Sequence, residues 1–129
     1  MNAPIPNLWP DDMGEQQEVT PKAIMLRQGQ VLRERTRGRV MGEVQTKVLG
    51  RDFTHTFFLS TPGLDGYKHF VLRIRHSIEA VYPLKFFTSE SDDTGRELVS
   101  EEQFYLVMRK ILQDPKTVSV VRSLIAQSE

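Results

Sequence analysis

The strongest constraint on the fold of this chain is a run of four segments between residues 40 and 86 in which apolar and polar residues alternate. Successive side chains of a β-strand point to opposite faces, so this alternation predicts strands that each have one apolar face. Turn-forming residues separate the segments at Gly50-Arg51-Asp52, at Pro62 to Gly66 and at His76-Ser77. The pattern predicts a four-stranded antiparallel meander in the order 1-2-3-4.

The apolar rows of the four strands can be placed on one face of the sheet. A one-residue slip would turn a whole row to the other face, so the agreement of all four rows supports the register. Pro83 would then point to the opposite face, which predicts that the fourth strand is an edge strand. The register rests on three cross-strand pairs, namely Val48 with Phe53, Leu59 with Phe70, and Ile74 with Ile78.

Helical spacing of apolar residues precedes and follows the strands. Thr20-Pro21 predicts the start of a first helix, because threonine caps free amides and proline suits the first helical position. Gly29 on the apolar stripe of that helix predicts close approach of a neighbouring element. Ser100 to Gln103 is a capping box that starts a second helix, and Asp114-Pro115 starts a third. The polar stretch from Thr88 to Val99 is expected to be a mobile loop.

These elements predict an α+β fold with an N-terminal helix, the four-stranded meander and two C-terminal helices. Residues 1–19 hold three prolines and four acidic residues, which predicts an extended or disordered arm, and residues 20–129 form one domain. Alternatively, Leu8 and Trp9 of the arm dock on the body or on a partner. The order of elements over residues 20 to 87 resembles that of cystatin-like α+β domains, a likeness of topology that implies no function.

Composition removes several classes of function. The 129-residue chain has 17 basic and 17 acidic residues and no cysteine, which excludes disulfides, thiolate metal sites and a thiol nucleophile. No nucleotide-binding, hydrolase or EF-hand motif occurs, and the acidic residues 90–93 lack calcium-loop spacing, so neither a cofactor nor a metal is expected. The chain has no membrane-spanning apolar run and starts without a signal-peptide pattern, so we expect no membrane association and a cytoplasmic location.

The outward face of the predicted sheet carries apolar residues that a solvated face does not need. In this register Phe58, Val71 and Val81 lie side by side, and Met41 and Phe87 share their face. Contiguous apolar surface of this kind marks an interface. The pattern predicts a non-enzymatic interaction module that forms a homodimer or binds a protein partner. The alternatives are that a terminal helix covers these residues or that they are exposed singly.

A second hypothesis is nucleic-acid binding through a basic cluster at the end of the first helix. The alternative is that these cations complement the helix dipole, and the balanced overall charge and the absence of interleaved aromatic residues favour this alternative. The cluster consists of Arg33, Arg35, Arg37 and Arg39, with Arg73 and Arg75 as additional candidates.

A third hypothesis is a small-molecule site or enzyme between the first helix and the sheet. His55 points inward in the predicted register and would act as general base, with Tyr82 as donor and Thr46 nearby. His69 is expected to point outward and His76 to lie at a turn, so no second titratable group accompanies His55. A satisfied core histidine is the alternative, and a non-enzymatic role is favoured.

Overall fold

The computed structural model describes residues 3–14 and 19–128 and confirms the α+β class. A single antiparallel sheet has the strand order β1-β2-β3-β4-β5, one strand more than predicted. A short 3-10 turn, Pro62–Leu64, connects β2 to β3. The helices and strands are α1 (Pro21–Arg35), β1 (Met41–Leu49), β2 (Asp52–Ser60), β3 (Lys68–Ser77), β4 (Leu84–Phe87), β5 (Arg96–Leu98), α2 (Glu101–Leu112) and α3 (Pro115–Gln127).

Each helix begins at the residue that the sequence predicts. The Thr20 hydroxyl accepts a hydrogen bond from the Ala23 amide (3.1 Å), and the Ser100 hydroxyl accepts one from the Gln103 amide (3.2 Å). The Asp114 carboxylate accepts a hydrogen bond from the Lys116 amide at 2.8 Å. These acceptors satisfy amides that have no partner inside the helix, which is why the three helices start where they do.

The predicted register is correct along the whole β1–β2 pair. In the β2–β3 pair it is correct as far as Phe57. Val48 pairs with Phe53, and Phe57 pairs with Leu72. Beyond Phe57 the prediction is wrong, because a β-bulge shifts the register and Leu59 faces His69. The bulge adds one residue to β3, so the side chains that precede it change face relative to the simple alternation.

The predicted position of the fourth strand is wrong. Ile74 pairs with Phe86 and not with Ile78, because β3 remains paired with β2 as far as Ser77. Residues 78–83 therefore form an irregular connection that returns the chain to the middle of β3, and it includes a cis peptide bond before Pro83. The first residue of this connection, Ile78, donates its amide proton to the Arg51 carbonyl at 2.7 Å.

The segment expected to be a mobile loop contains the fifth strand. Leu98 of β5 pairs with Leu84 of β4, so β4 has a neighbour on each side. The prediction that Pro83 marks an edge strand is therefore wrong, since β5 occupies that edge. A strand of three residues is too short to produce an alternating pattern in the sequence.

One hydrophobic core lies between the sheet and the helices. Phe57, Leu72 and Ile74 of the central strands are buried on the inner face of the sheet. Within the described residues, all three helices contribute to this same core, so the opposite, outer face of the sheet has no helix on it. The buried helical residues are Ile24 and Met25 of α1, Phe104 and Met108 of α2, and Leu124 of α3.

Helix α1 lies unusually close to strand β1. A β-carbon built on Gly29 would come within 2.3 Å of the Gly42 carbonyl oxygen, and one on Gly42 would come within 2.5 Å of the Gly29 α-carbon. These distances confirm the predicted close approach at Gly29. The absence of both side chains allows the backbones of helix and strand to touch.

The described part of the N-terminal arm lies away from the core. Residues 3–14 are exposed, and Leu8 and Trp9 do not dock on the body of the domain. The rest of the predicted arm, residues 1–2 and 15–18, lies outside the described residues. None of the helices in the described ranges is both long and apolar enough to cross a membrane.

Candidate functional site

The outer sheet face is a broad surface that the described helices leave uncovered. Alternation along each strand brings side chains of both charge signs and three phenylalanines to this face. Its centre consists of three cross-strand rows: Glu43 with Phe58 and Phe70; Gln45 with Thr56, Arg73 and Phe87; and Lys47 with Thr54, Arg75 and Lys85.

The structure places the predicted apolar residues differently from the sequence interpretation. Phe58 lies on the outer face, but the bulge turns Val71 into the core, and Val81 belongs to the irregular connection. Met41 lies on the outer face opposite Ser60 and is half-buried. Phe58, Val71 and Val81 therefore do not lie side by side as predicted.

Phe70 occupies the place beside Phe58 that the sequence assigned to Val71. The two rings meet edge to face, with centroids 6.3 Å apart, and both side chains are half-buried. Phe70 is thus an outer-face residue that sequence reasoning missed. The run of three apolar residues Phe70-Val71-Leu72 is the available signal, because such a run fits either face of a strand.

Phe87 also reaches the outer face, where two arginines cover its ring. The guanidinium carbon of Arg73 lies 4.5 Å from the ring centroid and that of Arg75 lies 5.9 Å away. Both distances are within the range of cation–π attraction. A β-carbon on Gly95 would come within 2.8 Å of the ring, so the loop before β5 packs closely against it.

The loop between β4 and β5 is anchored to the same face. Arg73 donates a hydrogen bond to the Asp92 carbonyl oxygen (3.1 Å), and the Asp92 carboxylate accepts hydrogen bonds from the amides of Thr94 and Gly95. These backbone amides, Gly95 first, lower the pKa of Asp92 from its usual value. The expectation of a mobile loop therefore overlooked both the fifth strand and this anchored turn.

A groove of about 560 Å³ runs across the outer face from β1 to this loop. Phe58 and Phe70 contribute apolar surface to it, and Phe87, which is 2% exposed, lines it beneath the two arginines. Lys47, Arg73 and Arg75 supply positive charge, and Glu90 and Asp93 supply negative charge at the loop. At the β1 end the groove includes Val48 and Leu49, which are 58% and 82% exposed. A groove of this composition can bind a chain that carries both apolar residues and charges.

His55 has a neighbouring titratable group that the sequence does not predict. It is buried on the inner face, and its Nε2 lies 3.0 Å from Nε2 of His76, which β3 carries past the expected turn. The Nδ1 of His55 lies 2.8 Å from the Thr46 hydroxyl, as the sequence suggested. His69, expected to point outward, instead lines a depression against α3, because the bulge reverses its face.

The hydrogen bonds of this histidine pair have one direction when both rings are neutral. The Ser77 carbonyl can only accept, so His76 donates to it through Nδ1 (2.9 Å) and accepts through Nε2. His55 then donates through Nε2 and accepts from the Thr46 hydroxyl through Nδ1. Both ring nitrogens of His55 are thus engaged inside the protein. Tyr82 is half-buried and packs against the core.

The histidine pair makes folding stability depend on pH. Burial away from water, followed by the charges of His76 and Lys22, lowers the pKa of His55 from 6.5 to about 4. An unfolded chain protonates this ring near pH 6.5, whereas the folded protein resists protonation until about pH 4. The stabilising contribution is therefore complete above pH 6.5 and is lost as the pH falls toward 4.

We expect the free energy of unfolding to fall by about 2 kcal/mol between pH 7 and pH 5 because of His55 alone. Urea unfolding at several pH values, compared between wild type and His55→Gln, measures this difference. A glutamine side chain does not titrate, so the variant should show a shallower loss of stability with acid. His69→Gln, which removes an imidazole outside this pair, is the matched control. Equal pH dependence in all three proteins would contradict the prediction.

The arginine cluster lies on the surface at the end of α1. Arg33, Arg35, Arg37 and Arg39 are all exposed. Arg35 borders a cleft of about 450 Å³ between α1 and the α2–α3 pair, which Arg109 and Tyr105 also line. None of the four arginines lines the outer groove. Among the described residues, no group of three or more His, Asp or Glu side chains could hold a metal ion.

Comparison of the chain with protein-family models, with curated proteins and with solved structures finds no match. The fold and the site therefore define the protein only as an α+β domain with an open outer sheet face.

Proposed function

We propose that this protein is a non-enzymatic protein-interaction module that self-associates through its outer sheet face. The observation that carries the proposal is the outer groove, which combines apolar rings with both signs of charge on a face over which the described part of the chain places no helix. Single exposed apolar residues are common on protein surfaces, but a contiguous group that adjoins a groove indicates a binding surface.

The β1 border is the part of this surface with the most exposed apolar residues. Val48 and Leu49 are adjacent at the end of β1, and both line the groove. A stable interface buries about 800 Å² on each partner, so a contact centred on the groove extends over this border. Burial of Leu49 against another chain removes apolar surface that the isolated domain leaves in water.

Replacement of Leu49 by glutamate is expected to reduce the mass in solution to that of a single 14.9 kDa chain. Leu49 is 82% exposed, so the substitution places a charge in the contact without disturbing the core. Light scattering coupled to gel filtration, over a range of protein concentrations, measures the mass of each variant. Leu106→Glu on α2 is the matched control, because Leu106 is also exposed (58%) and the charge change is the same.

Two results would contradict the proposal. One is a wild-type protein that remains a single chain at every concentration. The other is a Leu49→Glu protein that assembles as wild type does. Circular dichroism of both glutamate variants confirms that any change in mass reflects assembly and not unfolding.

The other two hypotheses from the sequence stay predictions. An enzyme that uses His55 as a base needs a free lone pair on that ring, and both nitrogens are engaged by Thr46 and His76. Nucleic-acid binding through the arginine cluster is compatible with the exposure of those side chains, but they lie outside the outer groove, which holds the phenylalanines. Neither hypothesis has a specific geometric feature in its favour.

A further inference from the structure

Strand β1 is a long edge strand, with helix α1 packed against it at Gly42. It occupies one end of the sheet order, and all nine of its residues, Met41–Leu49, pair continuously with β2. In the described part of the chain no strand pairs with its other side. An edge strand without proline or bulge presents unpaired amides and carbonyls to a further strand. The opposite edge is the three-residue β5, which offers a much shorter row.

The sequence of β1 is complementary to itself when it is reversed about Gln45. In an antiparallel pair centred on Gln45, Glu43 of one copy lies opposite Lys47 of the other, and Met41 lies opposite Leu49. Each of these contacts occurs twice, because a two-fold axis relates the copies. In this pairing each charged residue lies opposite a residue of the other charge sign, and the apolar residues at the two strand ends lie opposite each other.

The faces of the sheet agree with this arrangement. Met41, Glu43, Gln45, Lys47 and Leu49 alternate with the inner residues, so all five lie on the outer face. A two-fold axis perpendicular to the sheet keeps the outer faces of both copies on the same side. On the inner side, Val44 then lies opposite Thr46 of the other copy.

Registers with the two-fold axis at a neighbouring residue lose the charge and apolar pairs of the outer face. With the axis at Val44, Glu43 would face Gln45 and Met41 would face Lys47. With the axis at Thr46, Glu43 would face Leu49. Cross-strand pairs of opposite charge or of apolar residues stabilise a sheet, so the centre at Gln45 collects four favourable contacts on the outer face that the shifted registers lack there.

We infer that two copies of this protein join through β1, antiparallel and centred on Gln45, into one continuous ten-stranded sheet. The inference rests on the self-association proposed above and places the meeting line of the two copies at the β1 border of the outer face, beside the groove and not over it. Leu49, the most exposed apolar residue of β1, is covered by Met41 of the other copy. Glu43, already 3.5 Å from Lys68 of its own chain, gains Lys47 of the other copy as a second cation.

The arrangement makes a specific prediction for cysteine cross-linking, since the natural chain has no cysteine. Directly opposed residues of an antiparallel pair have α-carbons about 4.5–5.5 Å apart, which suits a disulfide. Gln45→Cys chains should therefore cross-link rapidly under mild oxidation. Lys47→Cys is the matched control on the same strand and face. Its two copies would lie roughly 13 Å apart, four residues out of register, and should not link.

A mixture of two variants tests the register itself. Glu43→Cys and Lys47→Cys should each fail to cross-link alone and should form a heterodimer when mixed. We expect Gln45→Cys and the mixture to link at least about tenfold faster than either control alone, as measured by non-reducing gel electrophoresis. Gln45→Cys that links no faster than Lys47→Cys would overturn the inference.

The two proposals fail in different ways. Loss of assembly in Leu49→Glu without cross-linking of Gln45→Cys would keep the outer-face function and remove the β1 pairing. A wild-type protein that is a single chain at every concentration would remove both. Cross-linking at position 45 that disappears in the Gln45→Cys/Leu49→Glu double variant would support both.

Discussion

Replacement of Phe57 by alanine is expected to destabilise the protein by about 4 kcal/mol. The Phe57 ring is buried at the centre of the inner face and packs against the backbone of Gly42. Truncation removes its apolar surface from the core and leaves a cavity that neighbouring side chains fill only in part. Urea unfolding of the variant and of the wild type at pH 7 measures the loss.

Phe58→Ala is the matched control, since it removes the same ring from the next residue of the same strand. Phe58 lies on the outer face, is half-buried and contacts Phe70 edge to face. We expect the loss of this contact to cost about 1 kcal/mol. Equal losses for the two substitutions would show that both faces of β2 are packed alike, which would contradict the open outer face.

Replacement of Gly29 by alanine is expected to destabilise the protein by about 3 kcal/mol. Alanine favours a helix over glycine by about 1 kcal/mol, so an isolated α1 would gain from the change. In the folded protein the new methyl group would meet the Gly42 carbonyl oxygen at 2.3 Å, and backbone atoms cannot rotate away as a side chain can. Helix and strand must separate, and the core beneath them loosens.

Two further variants test that explanation of the Gly29 effect. Gly14→Ala should be neutral, because an added β-carbon has no atom within 4 Å there. Gly42→Ala should also destabilise, and the double variant should lose less than the two single losses combined, since one displacement of α1 relieves both contacts. A Gly29→Ala protein as stable as wild type would show that α1 and β1 lie further apart.

The sequence predicts the β1–β2 pair well because a short turn and clear alternation agree there. Only Gly50 and Arg51 separate the two strands, and Gly50 has a positive φ of 61°. A turn this short fixes which residues face each other. The helix starts can also be predicted from local sequence, since a capping side chain lies within three residues of the amide it satisfies.

The β-bulge could not be placed from the sequence. Two segments are uninterrupted apolar runs, Phe57-Phe58-Leu59 and Phe70-Val71-Leu72. Whichever alternate residues of such a run point inward, the buried side chains are apolar. Only packing against the helices decides that Val71 joins the core and Phe70 turns outward. The predicted interface changed at Val71 and Phe70 for this reason, and at Val81 because residues 78–83 form no strand, although the outer face itself was predicted.

The histidine pair and the fifth strand depend on contacts that local patterns do not encode. His76 reaches His55 because β3 continues to Ser77, through the position where the sequence suggested a turn. β5 forms because Leu98 completes a row with Leu84 on the inner face. Both features follow from the length of β3 and from the return of the chain along it.

Because the described helices all pack on one side of the sheet, the domain is suitable as a scaffold for protein engineering. Stability resides in the layer that holds Phe57, whereas residues such as Thr54, Thr56 and Lys85 project from the reverse side without a partner in that layer. A library randomised at those outer-face sites would keep the hydrophobic layer intact, so selection could act on new binding specificities while most members still fold.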